Sequence, residues 1–344
     1  MTVNLEVLRE IVMARGVSGW EDEIRSLILS KIRGMGEVRV DEHGNVLLEL
    51  QGTAGKPTVM VAAHMDELGL LTTIVYDNGL IGFRKIGGID DRILPSRHVE
   101  IIGLKGPVPG VIGFTSPHLD IEKDKNSVTP WYKMRIDVGA ENRDEALEMG
   151  VRPGQPVAFK KHFTVLAGGK AVASRGLDDR AGVYVLLELA ERLSREKLPY
   201  RVVLAWTVRE EIGLWGAFAL AAKYRPDLVV AVDTIACCRS EITGEMKPGK
   251  GPVLRLMDNL YIASRVVADS LFSAAERSGV NLQIATGGGS TDASAFQRLG
   301  VASAAIGIPL KYTHTLVETV YLSDIEGAVR LLEEAVVGGH FKLQ

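Results

Sequence analysis

The chain has 344 residues, 46% of them hydrophobic and 24% charged, which suits one large globular domain carrying an insertion. A net charge of −3 provides no basic field, so nucleic acid is excluded as an expected partner. No apolar run reaches the about 18 residues of a membrane span, which excludes a membrane-spanning helix.

The N-terminal "MTVNLEVLREIV" places charges in a helical pattern and lacks the apolar centre of a signal peptide, so the expected location is cytoplasmic. Ser18 with Glu21 reads as a capping box, and Ile24, Leu27, Ile28 and Ile32 share one face of the helix that follows. "VRVDEHGNVLLEL" (38–50) reads as a hairpin around His43-Gly44-Asn45. "TVMVAAH" (58–64) is an apolar run suited to a strand buried on both faces. From Leu68 to Lys161 the texture changes to short alternating runs punctuated by Gly, Pro and Asn-Gly, with one helical stretch at 142–150. That region reads as a small β-rich barrel or sandwich.

Beyond it, helices at 178–196, 216–225, 265–279 and 292–300 alternate with strands at 200–208, 228–233, 282–286 and 301–308. A last helix opens with Ser323 and Glu326 as a second capping box. The expected fold is α/β, a mostly parallel sheet covered by helices on both faces. Residues 1–67 and 162–344 form its discontinuous domain, and 68–161 an inserted β-rich barrel domain. Cys237 and Cys238 are neighbours, about 3.8 Å apart at Cα, closer than an ordinary disulfide allows. Both are expected to be small buried hydrophobes in a reducing compartment.

Ligands of open α/β sheets sit outside the carboxyl ends of the strands. His64 and Asp66 follow the strand 58–63, Glu210 and Glu211 follow 200–208, Asp233 ends 228–232, and His314 comes shortly after 301–308. Asp178 and Asp179 stand at the turn into a helix. Singly, each has a plain structural reading: a Glu-Glu pair is usually a solvated loop, and "DDRAG" could simply cap a helix. Together they place two imidazoles and several carboxylates on one sheet edge, where repulsion among the acids calls for a cation. Mixed nitrogen and oxygen donors suit zinc, cobalt or manganese. "ATGGGSTDAS" lacks the lysine of a phosphate-binding loop and reads as a loop with Thr291 or Asp292 capping the next helix.

"AAHMDE", "LDDRAG", "REEIGLWGA", "AVDT" and "GGGSTDAS…KYTH", in this order, resemble the TET-type (tetrahedral) dinuclear metallo-aminopeptidases, and the resemblance covers nearly the whole chain. It implies a zinc-exopeptidase-like domain interrupted by a small β domain that mediates assembly, and two divalent metal ions per subunit. Asp178 would bridge the metals, His64 and Asp233 would complete one shell, and Glu211 and His314 the other. Glu210 would be the general base acting on a metal-bridging water, and Asp66 would orient His64. Asp179 would support the turn rather than bind metal. The implied activity is removal of N-terminal residues from peptides, inside a large homo-oligomer of twelve subunits. Spacing alone leaves open a carboxypeptidase, an N-acyl deacylase or a glycan hydrolase.

Overall fold

The computed structural model describes residues 3–53, 57–114, 118–119 and 127–341. Helix α1 (Leu5–Met13) starts at Asn4, whose side chain accepts from the Glu6 and Val7 N–H groups. Helix α2 (Asp22–Lys31) buries Ile24 and Ile28. Its expected capping box is not made, because Glu21 is the N-cap residue and makes no side-chain cap bond. Glu21 Oε1 instead accepts from Gly19 N at 2.6 Å, and Ser18 Oγ donates to Asp66 Oδ2 at 2.6 Å. A charge-assisted bond to a buried carboxylate outcompetes a helix cap worth about 1 kcal/mol.

Strands β1 (Glu37–Val40) and β2 (Val46–Leu50) pair antiparallel with Val40 opposite Val46, and the turn lies at 41–45 as its residues suggested. Asp41 Oδ1 accepts from the N–H groups of His43 and Asn45 there, each at 2.9 Å. Strand β3 (Thr58–His64) follows.

The inserted region holds β4 (Gly69–Val75), β5 (Ile81–Ile86), β6 (Arg97–Gly103), β7 (Gly106–Ile112), β8 (Ile136–Asp137), α3 (Arg143–Glu148) and β9 (Pro156–Phe159). Its strands close in the order β4-β5-β8-β7-β6-β9. Along β7, Val108, Gly110 and Ile112 are buried while the residues between them are not, the period-two pattern of a barrel wall. Leu70, Ile81, Phe83, Ile101, Ile136 and Val157 fill the interior. Where the chain enters and leaves, Lys161 Nζ meets Glu67 Oε1 at 2.8 Å, with both side chains buried.

Then come β10 (Thr164–Leu166), β11 (Ala171–Ser174), α4 (Leu177–Leu193), β12 (Arg201–Thr207), α5 (Trp215–Tyr224) and β13 (Leu228–Cys237). The chain continues through α6 (Ser240–Thr243), β14 (Val253–Met257), α7 (Arg265–Ser278), β15 (Gln283–Thr286) and α8 (Asp292–Arg298). It closes with β16 (Ala302–Lys311), β17 (Glu318–Tyr321) and α9 (Leu322–Val337). The large sheet runs β1-β2-β12-β3-β13-β16-β17-β11-β10, with β14 joining β15 to β16. Its centre, β12-β3-β13-β16, is parallel, and the flanking pairs β2-β12 and β16-β17 are antiparallel.

Both faces of that centre are covered. Val59, Val61 and Ala63 of β3 pack with residues of α1, α2, α4, α7 and α9, whereas Met60 and Ala62 pack with residues of α5 and α8. Two-sided burial is why these strands read as continuous apolar runs.

Two expectations are corrected here. The Ser323–Glu326 box does not cap α9, whose N-cap is Tyr321 without a side-chain cap bond. Strand β17 runs directly into the helix, and Leu322 N donates to Lys170 O at 3.0 Å, so a neighbouring segment satisfies the helix start. The cysteines are also not buried hydrophobes. Cys237 pairs with Cys238 as a disulfide, and Cys238 is exposed because β13 carries the chain four residues beyond Asp233 to the surface.

By internal contacts the chain forms two units. One is Met1–Asp66, His162–Thr313 and Val317–Gln344; the other is Glu67–Lys161 with His314–Leu316.

Candidate metal centre

In the first unit, β3 ends at His64 and β12 at Thr207, and these two residues pair in register. Asp233 lies on β13, the other neighbour of β3, and Asp178 and Asp179 open α4. His64 is 2% exposed and works in two directions. Its Nε2 lies 3.5 Å from Asp178 Oδ1, 3.8 Å from Asp233 Oδ1 and 4.0 Å from Glu210 Oε2. Its Nδ1 lies 3.5 Å from Asp66 Oδ1. Two sets of possible ligand atoms result, each mutually within 4.8 Å: His64, Asp178 and Glu211, and His64, Asp179 and Asp233. Ligands about 2.0–2.2 Å from a tetrahedral zinc lie roughly 3.3–3.6 Å from one another, so the His64–Asp178 spacing is that of neighbours around one ion.

The exit of β12 explains the adjacent pair Glu210 and Glu211. On an extended strand their side chains would oppose each other. Here Arg209 takes a φ of +55°, and the chain turns. The Gly213 and Leu214 N–H groups both donate to Glu210 O, while Glu210 N and Glu211 N donate to Asp66 at 2.9 and 3.3 Å. Positive φ at a non-glycine residue costs about 1–3 kcal/mol and persists only where the surroundings over-determine it. Asn45 is part of that surrounding: its Oδ1 accepts from Val208 N at 3.0 Å, and its Nδ2 donates to Gly216 O at 3.1 Å. A Cβ on Gly216 would sit 2.3 Å from Asn45 Oδ1, so the glycine of "LWGA" is required by this approach. Similarly, the glycine of "DDRAG" lets Asp179 dock: a Cβ on Gly182 would meet Asp179 Oδ2 at 2.3 Å, and Gly182 N donates to Asp179 Oδ1 at 2.9 Å.

Residues 44–331 match the profile of the M42 glutamyl aminopeptidases. The chain belongs to the M42 family. The lysyl aminopeptidase of Pyrococcus furiosus is 34% identical over 96% of this chain and 95% of its own. Among solved structures, the TET1 peptidase of Pyrococcus horikoshii, described as assembling into a tetrahedron or a large octahedral shell, is 47% identical. It has a TM-score of 0.92 over 98% of this chain and 99% of its own. A second structure, a PhTET1-12s dodecamer, is 46% identical, with a TM-score of 0.90 over 96% of this chain and 97% of its own. The M42 chain is therefore a peptidase of the aminopeptidase class, with the fold of the TET peptidases.

Electrostatics of the M42 centre test the fit of a cation. Burial pushes the Asp233 carboxyl up to about 8, and Asp178 adds repulsion. Burial also raises Glu210 and Asp179 well above the carboxylate range, opposed in each case by His64 and reinforced by Asp233. Burial alone would lower His64, but Glu210, Asp178 and Asp66 outweigh it and raise the imidazole. Asp179 Oδ2 is buried without a hydrogen-bond partner. A buried orphan oxygen among carboxylates that cannot all ionise together fits a site built for positive charge.

The residues expected from sequence divide as follows. His64, Asp66, Asp178, Glu210, Glu211 and Asp233 come together. Asp179 joins them, both supporting its turn and facing His64 and Asp233. His314 groups with the barrel unit, and its Nδ1 lies 3.0 Å from Gly88 O. Sequence reasoning missed Asn45, visible only as a turn residue, and took Ser18 for a helix cap. It also missed the contact of Thr207 Oγ1, which donates to Asp292 Oδ2 at 2.5 Å and anchors the start of α8 beneath the site.

Proposed function

We propose that this M42 chain is a dinuclear metal-dependent aminopeptidase that removes N-terminal residues from peptides. The observation that carries the proposal is the convergence of His64 Nε2 with Asp178, Asp233 and Glu210 within 4.0 Å. Asp178, His64 and Asp233 would hold one ion, and Asp178 with Glu211 the other. Asp179 stands beside them as a further oxygen donor. The family resemblance adds His314 to this set. Two divalent cations, zinc or cobalt by the donor types with manganese as the alternative, would supply Lewis acidity to the peptide carbonyl and acidify water. Glu210 belongs to neither set of mutually close ligand atoms among the described residues, yet lies 4.0 Å from His64 Nε2. We read Glu210 as the group that takes the proton of the attacking water and passes it to the leaving amine. Asp66 Oδ1 faces His64 Nδ1 at 3.5 Å, which leaves Nε2 for metal.

Assembly follows the relatives: the chain forms a large closed homo-oligomer, a dodecamer, working on peptides in the cytoplasm. Among the described residues no helix is long and apolar enough to cross a membrane. The testing experiment is a panel of chromogenic aminoacyl amides set against N-acetylated amides and substrates with a scissile C-terminal residue. Cleavage of free-amine substrates, lost on chelation and restored by Zn²⁺ or Co²⁺, is expected. Cleavage of the acylated or C-terminal substrates alone would reject the assignment.

A further inference from the structure

Ser18 lies in the turn between α1 and α2, far in sequence from every metal-site motif, and is 1% exposed. Its Oγ donates to Asp66 Oδ2 at 2.6 Å. Asp66 is 0% exposed and has donors on both oxygens. Oδ1 faces Glu210 N at 2.9 Å and His64 Nδ1 at 3.5 Å; Oδ2 takes Ser18 Oγ at 2.6 Å and Glu211 N at 3.3 Å. A carboxylate has about four lone-pair directions; three here take hydrogen bonds, from Ser18 Oγ, Glu210 N and Glu211 N, and the fourth faces His64 Nδ1 at 3.5 Å without a hydrogen bond. Ser18 makes the shortest of the four contacts. Without it, Oδ2 would retain only the long bond from Glu211, and the carboxylate would be free to rotate about its Cβ–Cγ bond.

We propose that Ser18 is a positioning residue of the metal centre: its hydroxyl locks the Asp66 carboxylate, and through it both the His64 ring and the β12 exit that carries Glu210 and Glu211. Rotation of Asp66 would disturb a metal-ligand orientation and a general-base position together. The remaining geometry supports this role. The turn is closed by a Val17–Trp20 bridge and by the bond from Gly19 N to Glu21 Oε1. A Cβ on Gly19 would lie 3.9 Å from Arg209 Nε, so the turn rests against the loop whose backbone Asp66 holds.

This inference rests on the dinuclear reading above, and its test separates the two. Full-length wild type, Ser18→Ala and Ser18→Thr are stripped with chelator and titrated with Co²⁺ by calorimetry. The thermal midpoints of the stripped proteins are measured alongside, then kcat and KM on a cleavable aminoacyl amide. Ser18→Ala should bind Co²⁺ on the order of 10-fold more weakly, the low end of the effect of removing a group that orients a ligand. It should also lower kcat with KM nearly unchanged, and Ser18→Thr, which keeps the hydroxyl, should recover both. Wild-type Co²⁺ affinity and kcat in Ser18→Ala would overturn the role of Ser18. So would equal losses in both variants that track a fall in the stripped midpoint, since these would indicate packing alone. Failure of wild type to take up two cations would instead overturn the dinuclear reading.

Discussion

Asp178 N donates to Glu318 Oε2 at 3.3 Å, and its own carboxylate stands with His64 and Glu211. A bridging role needs both carboxylate oxygens, and an amide offers only one good acceptor. Asp178→Asn is therefore expected to lose at least one metal per chain by elemental analysis. Two metals and full turnover in that variant would remove the bridge. The site was legible where chemistry follows an apolar run. His64, Asp66, Glu210 and Glu211 stand at or just past the end of a buried strand, where the strand-end rule finds them, whereas Asp233, expected to end its strand, lies within β13, which runs on to Cys237. Ser18 and Asn45 escaped because their partners lie 48 and 163 residues away and neither bond leaves a local pattern. Ser18 even sits in a pattern that imitates a helix cap, and only the buried Asp66 decides between the two uses.

At the level of elements, long runs buried on both faces, such as β3, β12, β13 and β16, were evident from sequence. The short strands β10, β11, β14 and β17 were not, since three to five residues give periodicity little to act on. The start of α9 shows the same limit. Its first turn carries Asp324, which is fully buried and accepts from Gly249 N at 2.6 Å and Gly251 N at 2.7 Å, tying a distant loop to the helix. Burial pushes this carboxyl up to about 6 from 3.8, against the pull of those two N–H groups. The folded state then holds more protons than the unfolded state between pH values of about 4 and 6. Its contribution to stability falls as pH rises through that window and is level above it. Asp324→Asn lacks this fall, and, like the protonated carboxyl, it offers one good acceptor. Urea melts should show the variant gaining stability relative to wild type between pH 4 and pH 7. A difference that stays constant, or shifts in favour of wild type, as pH rises would contradict the assignment.

For the whole molecule, the barrel unit leaves Leu104, Phe114, Leu119 and Tyr132 more than half exposed. The proposed closed assembly would bury side chains of this kind. Light scattering should give a mass many times that of the 37.3 kDa chain, near twelve copies. A fully active monomer would show that the inserted barrel serves another purpose.

The proposed division of labour between two adjacent carboxylates, one binding metal and one moving protons, is tested most directly in Glu210→Gln. Metal content and turnover are measured on the same preparation. The variant keeps shape but cannot accept a proton, so it should retain two metals per chain while turnover drops roughly 10²–10⁴-fold. Loss of metal in step with loss of activity would make Glu210 a ligand and contradict the account.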